Sequence, residues 1–299
     1  MAKAETPAAL LIAALLHSCM PAPPARPEVH GHRGCRGLLP ENTVPGFLKA
    51  AELGVDWLEL DVVVSADSQV VVSHEPWMSH LICTGPRGEA ITEAEERQHN
   101  LYRMTAAEIR TYDCGGLEHP GFPEQEQRRA HKPTLREVVE AVEEAALLGS
   151  GSPGFNIEIK SDPALYGTYQ PPPPELARLV LAAVDSLGIT DRCIIQSFDP
   201  SVLQAVHAAE PDITLALLVE NADGLEANLQ RLPFDPAIYS PHFSQADEAL
   251  TRKLRERGIQ LVVWTVNEPD DIRRMAALGV QGIISDYPDR VLAILEEGD

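Results

Sequence analysis

The sequence predicts an α/β fold, a TIM (β/α)8 barrel with a small insertion after the second strand. Three observations carry that expectation. Eight short aliphatic runs alternate with amphipathic helical segments. Most of the runs are continuously apolar, which suits parallel strands buried on both faces. The chain has 299 residues, and a barrel of this kind takes about 250. The competing arrangement is a doubly wound sheet, which needs an interior point where the strand order reverses.

The first 29 residues read differently from the rest. Lys3 precedes an apolar run from Ala8 to Leu16, and a proline-rich stretch covers Pro21 to Pro27. That run is too short to span a bilayer but has the length of a signal h-region. Leu16-His17-Ser18-Cys19 is similar to a bacterial lipoprotein processing site. It implies export, with a lipid anchor at Cys19 and a periplasmic or membrane-attached protein. The alternatives are an apolar helix closing one end of the fold and a cytoplasmic location. The expected organisation is therefore a leader and linker over 1–29 and one barrel domain over 30–299. No other stretch approaches transmembrane length.

The expected strands are Val29–His32, Trp57–Val64, Phe155–Lys160, Cys193–Phe198, Ile213–Val219, Ala237–Pro241, Gln260–Val266 and Gly282–Asp286. Gln69–Ser73 follows the turn residues Asp67-Ser68 and reads as a short hairpin arm. The helices announce their starts. Thr134 with Glu137 forms a capping box ahead of Val138, Val139 and Val142. Asp199-Pro200 supplies a cap and a first-turn proline. Asp247 opens a helix that stops at Gly258, and Pro269 opens one ending near Gly279. Residues 75–133 are too long for a βα loop and too polar for core, so they read as the insertion, with their own capping box at Thr105 and Glu108. Ser161–Pro174 is a second long loop ending in four prolines.

Composition narrows the partners. Lysine plus arginine number 24 against 45 acidic residues, a formal charge of −21. Nucleic acids and anionic membranes call for basic patches, so neither is an expected partner. The five cysteines are odd in number, widely spaced and without a CxxC pair. Free structural thiols are expected, rather than a disulfide framework or a zinc site.

Polar clusters sit where the strands end. His32-Arg33-Gly34 closes the first strand, and Glu59 and Asp61 lie two apart in the second. On a strand that spacing puts both carboxylates on one face. Two aligned acids in an apolar run repel and lose hydration unless a cation holds them. His74 ends the hairpin arm, and Glu158 and Lys160 repeat the i, i+2 geometry at the end of the third strand. Oxygen ligands without cysteine suit Mg²⁺, Ca²⁺ or Mn²⁺ rather than zinc. Arginine and lysine beside such an ion make a receptor for phosphate. Two histidines can serve as general base and general acid across an in-line displacement. Glu41 and Asn42 read as fixing the first βα loop, and His242 as structural.

Those residues carry a resemblance. His32-Arg33-Gly34, Glu41-Asn42-Thr43, Glu59-Leu60-Asp61, His74-Glu75, Pro133-Thr134-Leu135, Glu158-Ile159-Lys160, Trp264-Thr265-Val266-Asn267 and the closing Gly279–Asp286 stretch, in that order, resemble the glycerophosphodiester phosphodiesterase family. The resemblance implies that Glu59, Asp61 and Glu158 bind one divalent cation. It implies His32 and His74 as the acid/base pair, Arg33 and Lys160 on the phosphate, and Trp264 as a wall beside the alcohol. The expected reaction is metal-dependent hydrolysis of a small glycerophosphodiester to glycerol 3-phosphate and an alcohol. The alternatives are lysophospholipase D-like cleavage of lysolipids and a non-catalytic phosphodiester-binding barrel. Glu75 and Ser285 stand where the family usually has aspartate and threonine.

Overall fold

The computed structural model describes residues 26–297. The expected leader, Cys19 and its lipid anchor lie outside the described residues. Among the described residues one sheet is formed by β1 (Glu28–Gly31), β2 (Trp57–Val64), β3 (Val70–Val72), β4 (Gly154–Ile159), β5 (Cys193–Ser197), β6 (Thr214–Val219), β7 (Ile238–Pro241), β8 (Gln260–Val263) and β9 (Gly282–Ser285). The order is β1-β9-β8-β7-β6-β5-β4-β2-β3, and β1 also pairs in parallel with β2. Setting aside antiparallel β3, the eight parallel strands close into a ring. A doubly wound sheet keeps two open edges, so closure excludes it. The chain is a TIM barrel.

The helices sit where the caps place them. The first three are α1 (Val44–Leu53), α2 (Ala106–Ile109) and α3 (Leu135–Leu147), followed by α4 (Pro173–Ser186) and α5 (Pro200–Ala209). The rest are α6 (Leu225–Leu229), α7 (Glu248–Arg257), α8 (Pro269–Leu278) and α9 (Pro288–Glu296). Both capping boxes form, at Thr105/Glu108 and Thr134/Glu137. The first is followed by only one helical turn, because α2 is followed by a return of the chain toward residue 84. Asp199 and Asp247 cap α5 and α7, and Gly258 and Gly279 take the left-handed conformation that ends α7 and α8. The last two of the four prolines form the first turn of α4.

Alternation along the strands divides inside from outside. Odd-numbered β2 residues face the barrel interior, and their partners across the sheet follow, with Glu59 beside Asn156 and Asp61 beside Glu158. On the β5–β9 side the interior is filled by Ile194, Ala216, Ile238, Val262 and Ile284. On the β1–β4 side it is polar. His30 is fully buried there, with Nδ1 3.2 Å from Asn156 Nδ2. A Cβ on Gly282 would stand 2.9 Å from His30 Nε2, so only glycine leaves room for the ring.

Burial pushes His30 down to about 3 from its ordinary value of 6.5. The unfolded chain takes a proton near pH 6.5 that the folded chain refuses until pH 3, so His30 costs stability progressively between those limits as pH falls. Chemical denaturation of wild type and His30→Asn should show the wild type losing ground by ~1–2 kcal/mol between pH 7 and 5, from roughly 1.4 kcal/mol per pH unit. A pH-independent difference would contradict this burial.

Two expectations about the insertion need correction. Residues 75–133 have a small core after all, in which Met78, Ile82, Ile91, Leu101 and Ile109 pack against Val63 and Val71. The polar composition hid it, because these apolar residues are spaced without a helical or strand period. Cys83 and Cys114 form a disulfide across a sequence separation of 31, while Cys35 and Cys193 are free and buried. The pairing arises because Thr84 and Asp113 form an antiparallel bridge, with Thr84 N–H donating to Asp113 O at 2.7 Å, which sets their neighbours side by side.

Candidate active site

The turn after β1 brings the first two site residues together. His32 N–H donates to Ser285 O at 2.9 Å, which ties the turn to the end of β9. Arg33 then takes a φ of 49° and Gly34 a φ of 89°. A Cβ on Gly34 would lie 2.8 Å from the Gly46 carbonyl carbon, so glycine is required at the tightest point. Asn42 also has a positive φ, 54°, and its Nδ2 donates to Asp61 Oδ2 at 2.8 Å. Unfavourable backbone of this kind persists where the surroundings hold it, often at functional sites.

Glu59, Asp61 and Glu158 converge at the C-terminal end of the barrel. All three are buried, and one oxygen from each lies within 4.8 Å of the others. Their partners differ. Asp61 has Arg33 Nε at 3.3 Å and Lys160 Nζ at 3.7 Å. Lys160 Nζ donates to Glu158 Oε1 at 2.6 Å. Among the described residues the Glu59 carboxylate accepts only from Arg33 N–H at 2.8 Å and Gln196 Nε2 at 3.0 Å, with His32 Nε2 3.9 Å away. Burial and then the charges of Asp61 and Glu158 push the Glu59 carboxyl well above its ordinary range. Burial also raises Glu158, with Lys160 opposing. Asp61 goes the other way, because Arg33, His74 and Lys160 outweigh its burial.

The wider cluster has a charge deficit. Arg33, Arg36, Lys132 and Lys160 supply four cations, against Glu41, Glu59, Asp61, Glu75, Glu158 and Asp286. Even with a protonated His74 counted among the cations, negative charge is in surplus, which a bound divalent cation would offset. The donor set fits such an ion, being oxygen only and preformed.

The two histidines face the same cavity, one from the turn after β1 and one from just past β3, two strands that both pair with β2. His32 Nδ1 donates to Asp286 Oδ1 at 2.6 Å. Burial pushes His32 down to about 4, so its ring is neutral near pH 7. His74, just past β3, has Nδ1 2.7 Å from Glu75 Oε1. Glu75 is lowered to about 2, since its hydrogen bond and charge contact with His74 outweigh burial. Glutamate in place of the usual aspartate therefore still reaches the imidazole. Trp264 lines the same cavity, with Nε1 donating to Ser240 O at 2.8 Å and its ring edge-on to Phe198 at 5.4 Å.

A cavity of about 190 Å³ joins these groups. His32, Arg33, Glu59, His74, Glu158, Lys160 and Trp264 line it, and Asp61 lies directly behind. All eight residues singled out in the sequence thus come together. Reading the sequence missed Arg36, Gln196, Phe198 and Leu218 on the same wall, and Asp286 behind His32. Gln196 and Phe198 flank Ser197 at the end of the fourth barrel strand, a position that marks site residues in this fold. His242 pairs with Ser244 and packs on Trp264 outside the cavity lining.

The model of the glycerophosphoryl diester phosphodiesterase family matches residues 32–290. A glycerophosphodiester phosphodiesterase of Caldanaerobacter subterraneus is 28% identical over 270 residues, covering 90% of this chain and 98% of its own. A lysophospholipase D of Rattus norvegicus is 26% identical over 304 residues, covering 88% and 84%. A solved structure from Silicibacter pomeroyi, of a protein provisionally named a glycerophosphoryl diester phosphodiesterase, has a TM-score of 0.79 at 33% identity, covering 92% and 95%. An Oleispira antarctica phosphodiesterase solved with its product sn-glycerol-3-phosphate has a TM-score of 0.71 at 22% identity, covering 91% and 97%, a likeness of fold. With a closed barrel, an acidic triad and two oriented histidines at its C-terminal end, this chain belongs to the glycerophosphoryl diester phosphodiesterase family and is a phosphoric diester hydrolase.

Proposed function

We propose that the protein hydrolyses small glycerophosphodiesters to glycerol 3-phosphate and an alcohol, with a divalent cation held by Glu59, Asp61 and Glu158. The observation that carries the reading is Glu59, a buried carboxylate that, among the described residues, has no lysine or arginine side chain within salt-bridge reach. The ion supplies polarisation of the phosphoryl oxygens when bound. Arg33 and Lys160 line the cavity and hold the anionic phosphate, with Lys160 bridging to the acids at its base. His32, neutral and with Nε2 turned inward, accepts the proton of the attacking oxygen, either that of water directly or the glycerol 2-hydroxyl, whose cyclic phosphate a water then opens to glycerol 3-phosphate. His74, backed by the ionised Glu75, gives a proton to the leaving alkoxide. Trp264 and Phe198 form a corner against the alcohol.

The size of the cavity favours a small substrate over a lysolipid. About 190 Å³ is below the usual range for drug-sized ligands, and an acyl chain would have to lie outside it. Glycerophosphocholine is expected to turn over much faster than lysophosphatidylcholine. Chelation should abolish both activities, and re-addition of Mg²⁺, Ca²⁺ or Mn²⁺ in separate assays names the working ion. Full activity after exhaustive chelation would overturn the metal assignment. Binding of the diester without turnover under all three ions would favour the non-catalytic barrel.

Export is the proposed location. The Cys83–Cys114 disulfide supports it, because such bonds persist in oxidising compartments. Mass spectrometry of the mature protein is expected to find a lipid-modified Cys19 at the N-terminus, and an intact Met1 or Ala2 terminus would rule against it.

A further inference from the structure

The wall behind His32 contains a second polar assembly that the proposed chemistry does not itself use. Asp286, at the end of β9, has a side chain only 2% exposed. It accepts from His32 Nδ1 at 2.6 Å, from Arg36 Nε at 2.9 Å and from Asn267 Nδ2 at 2.8 Å. Arg36 Nη2 adds a longer contact at 3.3 Å. Asn267 Oδ1 in turn accepts from Asp286 N–H at 3.0 Å and Ser285 Oγ at 3.1 Å, so the amide fixes the backbone that carries the carboxylate. An ionised carboxylate can only accept, and this one is kept ionised because His32 and Arg36 outweigh its burial. The shared proton therefore sits on His32 Nδ1, and the lone pair on Nε2 is left to the cavity.

The insertion reaches the same assembly. The Phe122 ring stacks 4.5 Å beneath the Arg36 guanidinium, and Gln125 Nε2 donates to Arg36 O at 2.7 Å. Arg36 is thereby clamped between the insertion and Asp286.

We propose that Asp286, held by Arg36 and Asn267 and braced by Phe122, is a positioning residue that fixes the tautomer and ring orientation of His32. Its catalytic consequence rests on the reading of His32 as proton acceptor. An Arg36–Asp286 ion pair alone would need no histidine, whereas here the shortest contact is to the ring.

Asp286→Asn keeps the shape but presents an amide that can donate to Nδ1, which favours the proton on Nε2. Loss of the tautomer at an oriented histidine costs up to about 10⁴-fold in kcat elsewhere, so a fall of ~10²–10⁴ is expected, with KM for glycerophosphocholine within about threefold. Cation binding by calorimetry should be unchanged. Imidazole ¹⁵N shifts should move His32 from Nδ1–H to Nε2–H, a signature that a merely structural contact does not produce. Arg36→Met leaves the carboxylate in place and should keep the Nδ1–H tautomer while kcat falls about tenfold, as for other outer partners of site residues. An unchanged tautomer or a kcat within threefold of wild type in Asp286→Asn overturns the proposal. Should that variant not fold, a wild-type His32 found as Nε2–H overturns it, and Nδ1–H with the Arg36→Met loss supports it. If wild type cleaves no phosphodiester at all, the functional reading fails while the tautomer measurement still decides the positioning.

Discussion

Glu59→Gln is expected to lose at least ~10³-fold in kcat/KM and to gain thermal stability in the absence of divalent ions. The activity loss is the several kcal/mol that a polarising ion supplies at about 1.4 kcal/mol per tenfold. The gain in stability comes from the same carboxylate. Glu59 is buried and pushed up by burial, Asp61 and Glu158, so the ion-free fold bears its cost. Glutamine keeps the shape, its oxygen can still accept from Arg33 N–H, and its NH2 can donate to Gln196 once that amide turns its oxygen round, while the like charge is removed. A rise in Tm of a few degrees, at roughly 2–4 °C per kcal/mol for a chain of this size, should appear in chelator. Added Ca²⁺ or Mg²⁺ should then stabilise wild type and leave the variant unmoved. The opposite signs decide the matter: a glutamate kept for structure would lose stability and activity together. A destabilised variant that still responds to cation would remove Glu59 from the proposed metal site.

How much of this was legible depends on the range of the interaction. The barrel could be read because each signal is local. Thr134 and Glu137 make their capping box within one turn, and β2 matches its apolar run from Trp57 to Val64. The acidic triad could be read in part for the same reason, since i, i+2 spacing fixes the face of Glu59 and Asp61 without knowledge of any other strand. Arg36 and Asp286 are 250 residues apart, and they meet only because β1 and β9 are neighbours in a closed ring. Nothing local marks Arg36, which lies in a turn whose course is set by the positive φ of Arg33 and Gly34. The disulfide was hidden likewise, since Cys83 and Cys114 are aligned by the Thr84–Asp113 bridge inside a segment without periodicity. Gln196 is a milder case. Its strand was evident, but its inward face and its bond to Glu59 follow from register with β4.

The division of labour between the histidines predicts that His32→Ala and His74→Ala part company when the leaving group changes. On glycerophosphocholine both should lose ~10²–10⁴-fold, the usual contribution of a positioned acid or base. The leaving choline alkoxide is strongly basic and needs a proton as the bond breaks. A p-nitrophenyl diester expels a stable phenolate that needs none. If His74 is the donor, His74→Ala should recover most of its loss on the p-nitrophenyl substrate, to within about tenfold of wild type. His32→Ala should recover nothing, because the attacking hydroxyl must still be deprotonated. The environments point this way round. His32 is buried to about 4 and turns an unprotonated Nε2 to the cavity, so it begins the cycle as an acceptor. His74 is a third exposed and its Nδ1 meets a carboxylate held at about 2, which orients the ring for the donor's part. A glutamate in place of aspartate could have spoiled this by its extra methylene, yet Glu75 Oε1 reaches Nδ1 at 2.7 Å. Glu75→Ala should therefore resemble a weaker His74→Ala, with its loss confined to substrates that have a basic leaving group. Equal recovery of both histidine variants, or recovery by His32→Ala alone, would reverse or dissolve the assignment and leave the metal site untouched.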